Sequence, residues 1–159
     1  MQSTDEATRS VASQYTDHAY PLDDPKPYPM PVRVVAVVAA WLVPGAGHLA
    51  LGRFGRAALF FGVIAGAFVL GLMLNGRLFW PAAGEPEALL YFDLVTVLWS
   101  FAQIGAGLCY IVPYVLGIGT EFHAQAATFD YGNTFMILAG LLNYLVIHDA
   151  FDIAAGRKR

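Results

Sequence analysis

Charge is scarce in this chain. Of its 159 residues only 13% are Asp, Glu, Lys or Arg, about half the roughly 25% that solvates a typical soluble domain. Cysteine is scarcer still: Cys109 stands alone, which excludes an intrachain disulfide framework and a cysteine-based metal cluster. It lies in an apolar run and reads as a small buried packing residue. A basic stripe is missing too; the formal net charge is −3, so there is no electrostatic footprint for nucleic acid. The N-terminal stretch lacks the basic segment followed at once by an apolar run that marks a signal peptide.

What the chain does have is apolar bulk. It is 57% hydrophobic, with a mean hydropathy of +0.54. A compact soluble fold of this size leaves roughly a third of its surface exposed and could not hide so much apolar area. Lipid is the better solvent, and the expected class is an all-α integral membrane protein.

Residues 1–32 are polar and broken by Pro21, Pro25, Pro27, Pro29 and Pro31, which predicts a disordered or extended tail with His18 solvated. From Arg33 the character changes, and a membrane domain is expected over 33–156. Its four predicted spans are 34–51, 57–75, 93–118 and 134–155. Pro44 should kink or end the first near Val43 and Pro113 should kink the third. Asp130-Tyr131-Gly132-Asn133 is expected as a turn. The chain closes on a basic end, Arg157-Lys158-Arg159. Four spans put both termini and Arg77 on one side and Arg53 and Arg56 on the other, so the termini are expected in the cytoplasm. A rival reading turns the Gly-rich segment into a re-entrant hairpin, leaving three spans and termini on opposite sides.

The segment WLVPGAGHLALGRFGRAALFF, Trp41 to Phe61, invites a nucleotide-binding reading. A phosphate loop needs a Lys followed by Ser or Thr, and a dinucleotide turn needs a third glycine and a downstream acid. Position 50 is Ala, and no acid follows until Glu85. Small residues let helices approach closely in lipid, while Arg53 and Arg56 can snorkel to the headgroups. Pro44, Gly45, Gly47, His48, Leu51, Gly52, Arg53, Gly55, Arg56, Ala57, Leu59, Phe60 and Phe61 together resemble the hairpin signature of the TM-two domain and related small bacterial membrane proteins. The resemblance covers residues 34–76 and departs at Leu49-Ala50, where an aromatic is usual. It implies a membrane hairpin within a branch mostly of unknown function, and no catalytic activity.

Three further patterns carry expectations. Gly62-x-x-x-Gly66, echoed by Ala67-x-x-x-Gly71, spaces small residues by four so that each pair shares a helix face, favouring packing within the chain over self-association. Asp93, Thr96, Ser100, Gln103, Gly107, Tyr110 and Tyr114 fall on one arc of a continuous third helix. Such a polar stripe should not face lipid; it supplies interhelical hydrogen bonds, lines a solute path or forms an assembly interface. His148 and Asp152, one helical turn apart, form a possible relay or ligand pair, with an interfacial hydrogen-bonded cluster as the plainer reading. His48 or His148 could also ligate haem or chlorophyll. No catalytic residue, metal site or cofactor is identified. The expected role is a non-enzymatic structural or accessory subunit in the bacterial inner membrane, with lipid and other subunits or self-association as partners. A small transporter or channel component using the stripe is the alternative.

Overall fold

The computed structural model describes residues 26–80, 94–121 and 126–158. The tail at 1–25, Asp93, His123 and Arg159 lie outside them. All secondary structure in the described residues is helical: α1 Met30–Leu42, α2 Ala46–Ala50, α3 Phe54–Met73, α4 Leu94–Ile104, α5 Leu108–Val115 and α6 Phe129–Ala154. Two of these, α3 and α6, are long and apolar enough to cross a membrane. The broken pair α4–α5 makes a third crossing only if it is one span.

Helix α6 is the spine. Its buried face runs Gly132, Asn133, Met136, Ala139, Gly140, Asn143, Val146, Ala150, Ile153 and Ala154, single residues or adjacent pairs recurring every three or four positions, many of them small. Helix α3 lies antiparallel to it. Gly71, near the end of α3, sits against Met136 and Gly132 at the start of α6, and Ile64 and Phe68 join Met136, Ala139 and Val146 in the main core. The predicted turn at 130–133 is instead the first helical turn of α6. There Gly132 lets the backbone come up against Gly71 and Gly76, and Asp130 complements the positive helix start.

The first predicted span, 34–51, is two helices and not one. Pro31 falls in the first turn of α1, where a missing N–H costs nothing. The helix stops at Leu42, ahead of Pro44, and Gly45 takes a left-handed φ of 81°. The chain then doubles back. Gly47 of α2 fits against Ala36 and Ala40 of α1 and Ala150 of α6, and Leu51 packs with Ala36, Ile153 and Ala154. The start of α1, the start of α3 and the end of α6 therefore share one end of the molecule, and the Tyr28 amide donates to Ala154 O there. At 1.5 Å per residue the 13 residues of α1 rise about 20 Å, short of the roughly 30 Å of a bilayer core.

The third predicted span is also broken, at glycine and not at Pro113. The chain turns by 112° between α4 and α5, with Gly107 at φ 61°. Pro113 is accommodated inside α5. A side chain at Gly107 would run into the carbonyls of Trp41 and Leu42 at the end of α1. One at Gly140 would collide with Ala102 O of α4. The two interrupted elements thus meet beside the middle of α6, and Asn143 holds them together. Its Nδ2 donates to Ala40 O (3.1 Å) and to Gly105 O (2.8 Å).

Of the expected packing glycines Gly62, Gly66 and Gly71, only Gly71 packs within the chain. A side chain added at Gly62 or Gly66 would meet nothing within 4 Å, because the buried stripe of α3 is Ala57, Ile64, Phe68 and Gly71.

Replacing Asn143 with Ala removes both donors and leaves Ala40 O and Gly105 O buried. Bilayer hydrogen bonds average about 0.6 kcal/mol and reach about 1.7, so a loss of about 1–3 kcal/mol is expected in an unfolding titration in mixed micelles. Gly140→Ala should be worse, with no monodisperse protein recovered from detergent.

Candidate functional site

Two polar clusters stand out, one at each end of α6. The first surrounds residues 75–80, an irregular strap that follows α3. Backbone outside helices has donors and acceptors with no local partner, and lipid offers none. Side chains supply them. The Arg77 amide donates to Asn133 Oδ1 (2.8 Å) and the Phe79 amide to Gln103 Oε1 (2.9 Å). Gln103 Nε2 donates to Arg77 O (2.9 Å), and the Tyr110 hydroxyl donates to Phe79 O (2.6 Å). The Leu78 amide reaches Gly119 O at 2.7 Å. Trp80 stacks on Tyr114, with ring centroids 5.0 Å apart.

This strap collects three residues of the predicted stripe. Gln103, Tyr110 and Tyr114 close on it, and Gly107 is the chain break itself. Ser100 is buried, with its hydroxyl donating to Thr96 O one turn back (2.8 Å). The residues do not run down one continuous helix face, because the break between α4 and α5 divides them.

The second cluster lies at the opposite end of α6 and contains His48. The imidazole is fully buried, carried by α2 and packed at 4.9 Å against the Phe60 ring of α3. Its Nε2 lies 3.0 Å from Asp149 Oδ2. A carboxylate only accepts, so Nε2 is the donor in this contact. Nδ1 has no hydrogen-bond partner among the described residues. The other carboxylate oxygen of Asp149 accepts from Lys158 Nζ at 3.0 Å. Asp152 is flanked by Arg157 at 3.5 Å and Lys158 at 3.6 Å. The Asp149 hydrogen bond holds the Lys158 ammonium above its usual value near 10.5.

The predicted His148–Asp152 pair is not what the structure brings together. His148 is exposed, and its Nδ1 bonds to Tyr144 O of its own helix at 2.8 Å. The side chains that pair are His48 and Asp149, which sequence spacing missed. The available signal was physical: a buried histidine needs an acceptor, and Asp149 lies within reach only if α2 turns back. Among the described residues no group of three or more His, Cys, Asp or Glu side chains is placed to hold a metal ion.

The arrangement ties α2, α3 and α6 into one unit and orients the imidazole. Asp149→Ala should therefore cost about 1–3 kcal/mol, the penalty for a buried donor left unpaired, read as a lower thermal midpoint in detergent. Lys158→Ala should leave that midpoint nearly unchanged, because the ammonium is exposed. A raised lysine value means that its contribution is full below about 10.5 and is lost as pH rises through the folded-state value. From pH 6 to 9 wild type should show no Lys158-dependent change in stability.

No protein of curated function and no solved structure shows significant similarity to the chain. A family model does match, over residues 35–159, and it takes in both helix breaks, the strap and the His48–Asp149 pair. It is described only as a family of unknown function and adds no activity to the motif resemblance at residues 45–61. The chain belongs to this family of unknown function, DUF6677.

Proposed function

We propose that this chain is a non-enzymatic structural or accessory subunit of a bacterial inner-membrane assembly. The observation that carries the reading is the use made of the polar side chains at membrane depth. Gln103, Asn133, Tyr110 and Asn143 direct their amides and hydroxyl to backbone groups of the strap and the two helix breaks. A solute path needs such groups free to exchange partners with a permeant; here they hold irregular backbone in place. The open glycines of α3, Gly62 and Gly66, support close contact with another membrane helix.

The topology we propose has two full spans, α3 and α6, and two re-entrant hairpins. The α1–α2 hairpin enters and leaves at the end marked by Tyr28, Leu51 and Ala154. The α4–α5 pair dips from the end marked by Gly119, which sits against Leu72 and Leu78. Charge favours this arrangement over four spans. It gathers Lys26, Arg33, Arg53, Arg56, Arg157 and Lys158 at one end, leaving Arg77 toward the other. By the positive-inside rule the Lys- and Arg-rich end, with both termini, is cytoplasmic.

Single cysteines on a Cys109→Ala background test the topology through membrane-impermeant maleimide. Gly52→Cys and Arg157→Cys should label from the same side of oriented vesicles. A label at Gly52 only from the side opposite Arg157 would restore the four-span arrangement. Gln103→Leu tests the role: it should lower the thermal midpoint without changing the flux of ions or small solutes in reconstituted vesicles. Altered flux at unchanged stability would replace the structural role with a transport one.

A further inference from the structure

Between α3 and α6 lies an open cavity of about 490 Å³ that none of the interactions above explains. Its walls are Leu59, Val63 and Ile64 from α3 and Leu142, Leu145 and Val146 from α6. Leu59, Val63 and Leu145 are exposed, so the cavity opens sideways, where lipid would lie. One end is different in kind: His148, Asp149, Asp152 and Lys158 close it. These belong to the end of α6 and the residues just after it, the level at which a spanning helix meets headgroups. The site is therefore apolar along its length and ionic at one end, the pattern of an amphiphile.

The ionic end selects the headgroup. Both oxygens of Asp149 are occupied, one by His48 and one by Lys158. Asp152 is less well served: its neighbours Arg157 and Lys158 stand at 3.5 and 3.6 Å, beyond the usual length of a charged hydrogen bond. It retains room for a closer donor. Lys158 makes one short bond and has further N–H groups to offer, with its side chain 53% exposed. An acceptor held only by long ion pairs and an ammonium with N–H groups to spare thus stand side by side. The acids Asp149 and Asp152 balance the bases Arg157 and Lys158, so a headgroup carrying only negative charge would compete with Asp149 for Lys158 and leave Asp152 unserved. A zwitterion with a primary ammonium and a phosphate satisfies both.

We infer that this groove binds a zwitterionic phospholipid of the phosphatidylethanolamine type. Its ammonium donates to Asp152, its phosphate accepts from Lys158 and Arg157, and an acyl chain lies along Val63, Ile64 and Leu145. A trimethylammonium head has no N–H to donate, so phosphatidylcholine is a poorer occupant. The inference rests on the membrane reading, which alkaline carbonate extraction tests separately: release of the full chain from membranes would overturn that reading before any lipid is examined.

The lipid test uses the full chain reconstituted into phosphatidylcholine vesicles doped with equal amounts of phosphatidylethanolamine and phosphatidylglycerol. Mild-detergent extraction and native mass spectrometry then read the retained lipid. Wild type should retain one phosphatidylethanolamine with roughly tenfold preference over either other lipid, the scale of one charge-assisted hydrogen bond. Asp152→Asn should lose that preference and shift retention toward phosphatidylglycerol, since Lys158 and Arg157 remain. Val63→Trp, at a lipid-facing position, should fill the groove and abolish retention of every lipid while helical content and thermal midpoint persist. If Val63→Trp fails to fold, the Asp152→Asn comparison carries the test alone. Equal retention of the three lipids by wild type, a wild-type preference for phosphatidylglycerol, or an Asp152→Asn protein that keeps the wild-type preference would each overturn the inference.

Discussion

The amide of Asn143 joins pieces of chain that have no other way to end. A helix that stops within an apolar environment leaves its last carbonyls unpaired, and lipid cannot satisfy them. Here α1 stops at Leu42 and α4 at Ile104, and the same side chain takes one carbonyl at each break, Ala40 O of α1 and Gly105 O in the turn after α4. Asn143 sits about 16 Å from the end of α6 at 1.5 Å per residue, near the middle of the spine. One side chain with two N–H donors meets two broken helices. The glycines around it follow from that meeting. Gly107 and Gly140 have no room for a Cβ because the carbonyls they face belong to Trp41 and Ala102.

The same constraint explains what could be read from residues and what could not. Long apolar runs with little charge identify α3 and α6 well, because such a segment has one economical solution in lipid. Pro44 marks the end of α1 because a missing N–H and a ring clash act locally. The direction the chain takes after Pro44 is not local. It depends on whether α2 finds a groove, and that groove is made by Ala36, Ala40 and Ala150, residues distant in sequence whose only distinction is small size. The polar stripe failed in a similar way. Its residues share a helical arc only if the helix is continuous, and Gly105-Ala106-Gly107 breaks it where Asn143 and Trp41 can accept the break. Pro113, the stronger local signal, stays inside a helix. Tertiary fit decided between the two.

His48 shows how one misplaced turn hides a site. With α1 and α2 read as a single span, the imidazole rises toward the far side of the membrane from Asp149. With the turn at Gly45 it returns to the end where α6 finishes, and the 3.0 Å contact with Asp149 follows. The nearer pair in sequence, His148 and Asp152, satisfies helical spacing, yet His148 turns to its own backbone. A buried imidazole beside an apolar ring demands an acceptor more strongly than an exposed one does, so burial is the better guide to the pairing than spacing is. His48 is then a tie between the hairpin and the spine, and it accounts for the one residue of the glycine-rich segment that close packing leaves unexplained.

The two breaks also resemble each other. Gly45-Ala46-Gly47 and Gly105-Ala106-Gly107 stand at the turns of α1–α2 and α4–α5, and each pair is followed by a long apolar helix, α3 or α6. The long helices run antiparallel, and the turns approach each other from opposite ends. Each unit is a broken helix pair followed by a long helix. The units fit for an electrostatic reason as well. The carbonyl end of α1, at Trp41 and Leu42, abuts Gly107, where α5 begins. The negative end of one helix dipole therefore faces the positive end of another at a buried contact. Gly107 makes that approach possible because it carries no side chain and tolerates a left-handed φ. Substitution there would separate the units as well as strain a turn.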